Sequence, residues 1–330
     1  GECAVSALNQ QDQENLDVVM MGTLAQFKRL AGKLDGQPFG LAPFADELRA
    51  ALDIEGHGVD ERGYPWEDGT AVMGILNVTP DSFHDGGEYE AVEAAVERAE
   101  AMLSAGADII DIGGESTRPG AEPVPVDTEI ERIVPVIERV AELGAPISVD
   151  TRKAAVADAA LEAGADIVND VSELADPAMP ATIAEHDASL ILMHSHSVPV
   201  DPDSNPVYDD VVEDILEELT EQILRAERAG VDRDRIVVDP GCGFGKSAAE
   251  SYELIERVAE FEALGCPVMV GHSRKSMFAG ADVADDGRLA PTLAGTAIAA
   301  DRGVDVVRVH DVAENVAVIR TVTGQLDPDA

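Results

Sequence analysis

From residue 71 onward, short apolar runs rich in β-branched residues alternate with amphipathic stretches. Eight such runs predict strands, at residues 72–78, 108–112, 146–149, 166–168, 189–193, 236–238, 267–270 and 304–309. Between them, apolar residues three or four positions apart predict helices at residues 90–105, 130–143, 154–163, 211–229 and 252–264. Glycines that fit left-handed helix C-caps precede several strands: Gly106, Gly144, Gly164, Gly230, Gly265 and Gly303.

Strands that alternate with helices indicate a parallel sheet. Eight nearly continuous apolar strands, each followed by a helix, predict an α/β fold of the (β/α)8 TIM-barrel type. An open doubly wound sheet is the alternative, which the lack of a Gly-x-Gly-x-x-Gly turn after the first strand disfavours. Residues 1–66 do not share the repeat, so we expect a short N-terminal extension before a barrel at residues 67–330. Within that extension the pattern predicts a strand at 17–21 and helices at 23–34 and 44–52.

The charge balance narrows the function. The chain has 65 acidic and 23 basic residues, for a formal net charge of −42. This excess excludes a general binder of nucleic acid or of anionic membranes, because such proteins need basic patches. It does not indicate disorder, since 45 % of the residues are hydrophobic and they are patterned. An acidic surface with only five lysines is typical of proteins kept soluble in concentrated salt, so we expect a halophilic source. An acidic mesophilic protein is the alternative.

Apolar runs and cysteines point to a cytoplasmic protein. No run approaches the roughly 18 apolar residues of a membrane span, and no positively headed signal segment is present. Cys3, Cys242 and Cys266 are scattered, odd in number and without Cys-x-x-Cys spacing. They therefore predict neither a disulfide framework nor a structural zinc site.

Polar residues at the strand ends define the candidate site, because β/α barrels carry their active sites there. Asp150, Asn169 and Asp239 can hydrogen-bond a planar heterocycle rich in N–H and C=O groups. Asn77 offers an oxygen to a hard cation.

A second group of strand-end residues is cationic and lies beside glycine-rich loops: Arg118, Lys275, Arg308 and His310. Such a group suits an anion such as a diphosphate. The two groups together predict a substrate with a polar heterocycle at one end and a diphosphate at the other.

Several residues have competing interpretations. Asp111 and Asp170 could cap a helix or hold a loop. Lys275 could form a Schiff base, as lysines of barrel aldolases do. His194 and His196, two positions apart, could bind a metal ion, although the sequence offers no obvious third ligand.

From about residue 71 to residue 322 the chain resembles the dihydropteroate synthases, folate-pathway members of the pterin-binding barrel family. The resemblance rests on the strings at residues 74–83, 111–120, 239–246, 271–276 and 308–311, which occur in the family's order. It implies a transferase that joins 6-hydroxymethyl-7,8-dihydropterin diphosphate to para-aminobenzoate with Mg²⁺, and a homodimer.

The resemblance also implies residue roles. Asp150, Lys275 and Arg118 would be catalytic; Asp150, Asn169, Asp239 and Lys275 would hold the pterin; Arg118, Arg308 and His310 would hold the diphosphate; Phe83, Thr117, Pro119, Phe244 and Ser276 would form the aminobenzoate pocket; Asn77 would bind Mg²⁺. The implied mechanism is dissociative, with diphosphate leaving first and Asp150 stabilising the pterin methylene cation.

The chain departs from the family after the fifth strand, where Ser195-His196-Ser197 replaces a methionine and a turn. Residues 17–24 resemble the closing strand of folate-type glutamate ligases, so we expect residues 1–66 to be the remnant of an upstream ligase domain. Two other functions stay open: a methyltetrahydrofolate-dependent methyltransferase of the same barrel family, and a catalytically silent partner subunit. The loops do not distinguish para-aminobenzoate from a ribosylated analogue.

Overall fold

The structure is a computed structural model, and the residues it describes are 2–5, 18–21, 65–66, 69–78, 88–116, 123–196, 206–281 and 287–324. Contacts within the chain divide it into two units, residues 1–64 with 262–266 and residues 65–261 with 267–330. In the first unit, Glu2–Val5 pairs antiparallel with Val18–Met21. The strand expected at 17–21 is therefore confirmed, whereas the helices expected at 23–34 and 44–52 lie outside the described residues. The origin of residues 1–66 stays a prediction.

The second unit consists of eight parallel strands in the described residues, each followed by an α-helix. In chain order they are β1 (Ala71–Asn77), α1 (Glu88–Ser104), β2 (Ile109–Gly113), α2 (Val126–Ala141), β3 (Ile147–Asp150), α3 (Ala154–Glu162), β4 (Ile167–Asp170), α4 (Met179–Glu185), β5 (Ser189–Met193), α5 (Val211–Ala229), β6 (Ile236–Asp239), α6 (Ala248–Glu256), β7 (Met269–Val270), α7 (Leu289–Asp301), β8 (Val306–Val309) and α8 (Val312–Thr323). Every residue of β2 to β6 is buried, as expected for strands covered by helices outside and by each other inside.

The sheet closes into a barrel. Hydrogen bonds join the strands in the order β6-β5-β4-β3-β2-β1-β8-β7. A parallel bridge between Val238 of β6 and Val268, just before β7, connects the two ends of this order. The (β/α)8 TIM barrel is therefore confirmed. Within the described part of the chain, none of the helices combines the length and hydrophobicity that crossing a membrane requires.

A Gly-x-Asp sequence precedes three of the strands and holds the amino-terminal end of the barrel. All six glycines expected to be left-handed caps have φ between +72° and +111°. In each case, the aspartate two residues after the glycine accepts a hydrogen bond from a backbone N–H group that lies in the neighbouring strand or just before that strand begins. The pairs are Asp108 with Val72 at 2.8 Å, Asp166 with Ile147 at 2.9 Å, and Asp305 with Val268 at 2.7 Å. These hydrogen bonds satisfy backbone N–H groups at the strand ends that have no partner in the sheet.

The helix expected at residues 252–264 is two elements in the structure. Ser247 and Glu250 form a reciprocal capping box, which starts α6 at Ala248. α6 ends before Arg257, whose φ is −103°, and a 3₁₀ helix follows at Val258–Leu264. The apolar spacing continues through both elements, so the pattern could not reveal the break.

Candidate active site

Four neighbouring strands end in one row of residues. The register places Asn77 beside Gly113, Gly113 beside Asp150, and Asp150 beside Asn169. A Cβ atom at Gly113 would lie 3.5 Å from Cβ of Asp150 and 3.7 Å from Oδ1 of Asn77. Gly113 therefore leaves the space between these two side chains open, at the carboxyl end of the barrel where active sites form.

Arg308 of β8 reaches two carboxylates on other strands. Its Nη2 donates to Oδ2 of Asp150 over 2.6 Å, and its Nε donates to Oδ2 of Asp111 over 2.6 Å. The side chain of Asp111 is fully buried, and that of Asp150 is 9 % exposed. Charges this deeply buried need an opposite charge nearby. The guanidinium charge of Arg308 therefore offsets part of the free-energy cost of burying the two carboxylates.

Burial raises the pKa of Asp150 to about 7, because water solvates its charged form poorly there. Arg308 acts in the opposite direction, while the carboxylates of Asp111 and Glu129 raise the pKa further. Near neutral pH, Asp150 therefore exchanges between its protonated and ionised forms. A cationic or N–H-rich ligand would select the ionised form.

Two buried oxygens next to this ion pair have no hydrogen-bond partner among the described residues: Oδ1 of Asp111 and Oδ1 of Asn169. Asn169 uses its Nδ2 in a long contact, 3.5 Å, with Oδ2 of Asp111. Leaving a buried acceptor unsatisfied costs roughly 1–3 kcal/mol. A ligand that brings N–H donors to these oxygens would recover that free energy.

Asp239 and Lys275 are two further charged residues at the mouth, near enough to affect each other's pKa. Oδ1 of Asp239 accepts the N–H of Gly241 over 2.7 Å. Nζ of Lys275 donates to the carbonyl of Cys242 over 2.6 Å and lies 4.3 Å from the ring centroid of Phe244. Burial lowers the pKa of Lys275 to about 8, which the charge of Asp239 opposes, and burial raises the pKa of Asp239.

The loop after β6 depends on a close backbone approach. Gly241 has φ +71°, and a Cβ atom there would lie 2.0 Å from the carbonyl oxygen of His194. Nζ of Lys246 crosses the same gap, donating to the carbonyls of His194 at 3.2 Å and Phe244 at 2.9 Å. This loop therefore has a defined shape that places Phe244 under Lys275.

Histidine and serine side chains join the ends of β7 and β8. The ring Nδ1 of His310 lies 3.0 Å from Oγ of Ser273, which also accepts the N–H of His310 over 3.2 Å. Arg274 is exposed and forms an ion pair with Asp311. Ser276, also exposed, begins a 3₁₀ helix at Ser276–Ala281.

A family model described as pterin binding enzyme matches residues 73–310. A dihydropteroate synthase of Escherichia coli K12 is 44 % identical over 257 residues, which cover 77 % of this chain and 91 % of that protein. The chain belongs to the dihydropteroate synthase family. A solved dihydropteroate synthase structure from Clostridium difficile, in the presence of pteroic acid, matches with a TM-score of 0.74 and 41 % identity, covering 79 % of this chain and 98 % of that one.

A longer relative shares more of the sequence. A protein of Halobacterium salinarum, named probable bifunctional folylpolyglutamate synthase/dihydropteroate synthase, is 62 % identical over 322 residues, or 97 % of this chain. The chain spans 39 % of the length of that relative. The match includes the N-terminal region that resembles the end of a folate-type ligase.

The described residues of the dihydropteroate synthase motifs lie together at the carboxyl end of the barrel. Asn77, Asp150 and Asn169 share one row, Arg308 contacts Asp150, and Lys275 lies beside Phe244. Four of the expected site residues lie outside the described part of the chain: Phe83, Thr117, Arg118 and Pro119.

The two aspartates with competing interpretations have different roles. Asp170 holds its own loop, with Oδ1 accepting the N–H of Ser172 over 2.7 Å and Oδ2 that of Leu174 over 3.1 Å. Asp111 belongs to the site, because Arg308 bonds it together with Asp150. The sequence left open whether Asp111 contacts a ligand, caps a helix or holds a loop, since its partner lies 197 positions away.

A buried charged cluster behind Asp150 was not expected. Glu129 of α2 is fully buried and accepts from Oγ1 of Thr151 at 2.8 Å and from Nζ of Lys153 at 2.5 Å. Glu115 bonds Arg152 at 2.9 Å and the N–H of Val124 at 2.7 Å. Nothing in the sequence marked Glu129 among 65 acidic residues.

The departure after β5 is accommodated without an apolar side chain. Ser195 is buried, and its N–H donates to the carboxylate of Glu173. Both residues line a cavity of about 460 Å³ beside the ends of β3 to β5, together with His196.

Proposed function

We propose that this barrel joins 6-hydroxymethyl-7,8-dihydropterin diphosphate to para-aminobenzoate, forming 7,8-dihydropteroate and diphosphate in folate biosynthesis. The observation that carries the proposal is the group of polar side chains at the barrel mouth, in a chain of the dihydropteroate synthase family. Its members are Asp111, Asp150, Asn169, Asp239, Lys275 and Arg308.

The pterin ring is assigned to the buried acceptors. An aminopyrimidine edge offers several N–H groups, which suit the carboxylate of Asp239 and the unsatisfied Oδ1 of Asn169. Lys275 would donate to the ring carbonyl or a ring nitrogen from its position above Phe244. Charge-assisted bonds in this shielded place are stronger than those in water.

Asp150 is assigned to the chemical step. When the bond between the pterin methylene and the diphosphate breaks, positive charge develops on the methylene and the ring. A fixed, ionised carboxylate stabilises that charge without reorganising during the reaction. The arylamine nitrogen then attacks the methylene carbon and loses a proton, so no nucleophilic side chain is required.

The diphosphate is assigned to Arg308 and His310, and the resemblance to the family adds Arg118. Arg308 bonds Asp111 and Asp150 through two of its nitrogens, so it would bridge the carboxylates and the leaving group. Asn77 is the candidate ligand of Mg²⁺. Its exposed amide lies beside the open space at Gly113, and Mg²⁺ combines one or two protein oxygens with substrate phosphates. The ion would neutralise charge on the departing diphosphate.

The arylamine is assigned to the rim, between Phe244 and Ser276. The resemblance to the family adds Phe83, Thr117 and Pro119 to the residues expected to contact it. Ser276 follows Lys275 directly, so a pocket there would place the amine next to the pterin site. The ring of Phe244, already in contact with the Lys275 ammonium, offers an apolar face for the benzene ring.

Turnover with both substrates and Mg²⁺ in molar KCl tests the proposal. We expect diphosphate and 7,8-dihydropteroate in equal amounts, and neither product from Asp150→Asn. Diphosphate without dihydropteroate would point to a different arylamine. Neither product from folded protein, combined with methyl transfer from methyltetrahydrofolate, would replace the synthase with the methyltransferase.

We further infer a cytoplasmic, salt-adapted enzyme that follows ligase sequence in a longer protein. The charge of −42 supports the salt adaptation, and the Halobacterium relative supports the fusion.

For the homodimer, support comes from an apolar groove of about 620 Å³ between α6 and α7. Tyr252 and Ile298 line it and are 44 % and 41 % exposed. Sedimentation equilibrium of wild type and Ile298→Asp tests this, and a wild-type monomer would overturn it.

A further inference from the structure

We propose that His194, His196 and Glu218 form a binding site for a divalent transition-metal ion of the zinc class, separate from the expected Mg²⁺ ligand Asn77. The sequence places the two histidines two positions apart after β5 and leaves the third ligand open. The fold supplies it from α5, 24 positions after His194. One ligand atom from each of the three side chains lies within 4.8 Å of the other two.

The geometry is close to that of a bound ion. Nε2 of His194 lies 2.8 Å from Oε2 of Glu218. Ligand atoms about 2.0–2.1 Å from a tetrahedral zinc ion lie roughly 3.3 Å apart. A small rotation of Glu218, whose side chain is 45 % exposed, would open that gap. His196 is exposed, and its ring lies 5.1 Å from that of His194, centroid to centroid.

The backbone around the site is held on both sides. His194 is buried, and its N–H donates to the carbonyl of Asp239 over 2.9 Å. α5 begins at a capped end, where Asp210 accepts the N–H groups of Val212 and Glu213. Glu218 lies two turns into that helix. Two of the three ligands therefore start from rigid elements, which lowers the entropy lost on binding an ion.

The surrounding charge favours a cation. The carboxylate of Glu173 lies 3.9 Å from Nε2 of His194. Tyr208, whose hydroxyl is 2.8 Å from Nε2 of His196, lies within electrostatic range of the carboxylates of Glu218, Glu250, Glu173 and Asp214. Lys246 is the opposing cation, and it lies on the other side of the ring, 2.8 Å from Nδ1 of His194.

The hydrogen bonds also define what the ion displaces. Because Lys246 donates to Nδ1, the ring hydrogen of His194 is on Nε2 and is donated to Glu218. The ion takes the place of that hydrogen, and the His194–Lys246 pair releases one proton to solvent. The negative charge of Glu218 stays and becomes a ligand.

The donor set selects the class of ion. Two imidazoles and one carboxylate are the protein ligands of many zinc sites that keep a fourth position for water or a small ligand. Imidazole nitrogen favours Zn²⁺, Co²⁺ and Ni²⁺ over Mg²⁺ and Ca²⁺, which prefer oxygen. The fourth position would be next to the cavity that His196 and Glu173 line.

The test uses the full chain in molar KCl with excess Mg²⁺, titrated with Co²⁺ and then with Zn²⁺ against a chromophoric chelator. We expect one equivalent of Co²⁺ to give the visible absorption of a four-coordinate ion and Zn²⁺ to displace it. His196→Asn and Glu218→Gln should each weaken Zn²⁺ binding at least about tenfold, since loss of even an outer-sphere partner costs that much. Both side chains are exposed or partly exposed, so the variants should fold.

Two matched control variants distinguish Zn²⁺ binding at this site from nonspecific binding to the acidic surface. Glu217→Gln removes one exposed charge from the same helix, and His186→Asn removes a histidine paired with Asp158 on another face. Both should bind Zn²⁺ within twofold of wild type. Equal Zn²⁺ affinity in wild type and Glu218→Gln, or only the weak absorption of six-coordinate Co²⁺, would overturn the proposal.

Discussion

Nη2 of Arg308 lies 2.6 Å from Oδ2 of Asp150, although the two residues are 158 positions apart and their strands are not neighbours. Burial of Asp150 outweighs the attraction of Arg308 and leaves the carboxyl with a pKa of about 7. The charge state of this residue therefore changes within the physiological pH range, and its consequences can be measured.

Affinity for the pterin should rise from pH 6 to pH 7.5. Asp150 holds a proton below its raised pKa, and a ligand that donates N–H groups needs the ionised form, so affinity is lost as the pH falls through about 7. The loss approaches roughly tenfold per pH unit once the carboxyl is mostly protonated. Calorimetry with 6-hydroxymethyl-7,8-dihydropterin measures this affinity. Because this ligand has no diphosphate, ionisation of a diphosphate cannot contribute to the pH dependence. Asp150→Asn should bind more weakly and with no pH dependence in this range; a dependence that persists would assign the titration to another group.

Lys275→Ala should weaken pterin binding by roughly 1.5–3 kcal/mol, or about 10–150-fold, because it removes a charge-assisted donor. In wild type, affinity should also decline above pH 8, since burial lowers the pKa of this lysine to about 8. Arg139→Ala, which removes a cation from an exposed pair with Glu93, serves as the control and should change affinity less than twofold. Unchanged affinity in Lys275→Ala would contradict its assignment.

Gly241→Ala should distort the loop after β6, whereas Gly144→Ala should be mild. Both glycines have positive φ, +71° and +78°. A Cβ atom at residue 241 would meet the carbonyl of His194 at 2.0 Å, while at residue 144 it would meet no atom of the described residues within 4 Å. Gly144→Ala should cost only the backbone strain, about 1–2 kcal/mol. Denaturant unfolding and pterin affinity measure both variants, and equal effects would show that the close approach is unimportant.

Lowering the salt concentration should destabilise the protein. At −42, repulsion between surface carboxylates opposes the folded state, and dilute buffer no longer screens it. We expect Tm to fall by roughly 10 °C or more between 3 M and 0.2 M KCl. Sucrose at matched water activity controls for solvent exclusion. A Tm independent of KCl would remove the halophilic interpretation and leave the enzyme assignment intact.

Much of the barrel could be predicted because strand and helix periods are local properties of the chain. The predicted helix at 211–229 has the bounds of α5, and each of the eight predicted strands is present. The boundary of α6 was missed because a capping box and Arg257, rather than apolar spacing, define its ends.

The site could be predicted only as a set of residues. Position at a strand end marked Asn77, Asp150, Asn169 and Asp239, because parallel strands bring their carboxyl ends to one side of the sheet. Position alone did not reveal that Asp111 faces Arg308, nor that Glu129 lies buried beneath Thr151. Those contacts join separate elements, so no local pattern records them.

The sequence by itself determined the alternation of eight strands and helices, the family, and the chemistry available at the barrel mouth, since these depend on residue type and spacing. The tertiary structure alone decided which of those groups meet. Curvature of the sheet brings Arg308 of β8 to Asp150 of β3 across the barrel, and packing of α5 over β5 brings Glu218 to His194. Both depend on the curvature and packing of the barrel, which relate residues far apart in the chain.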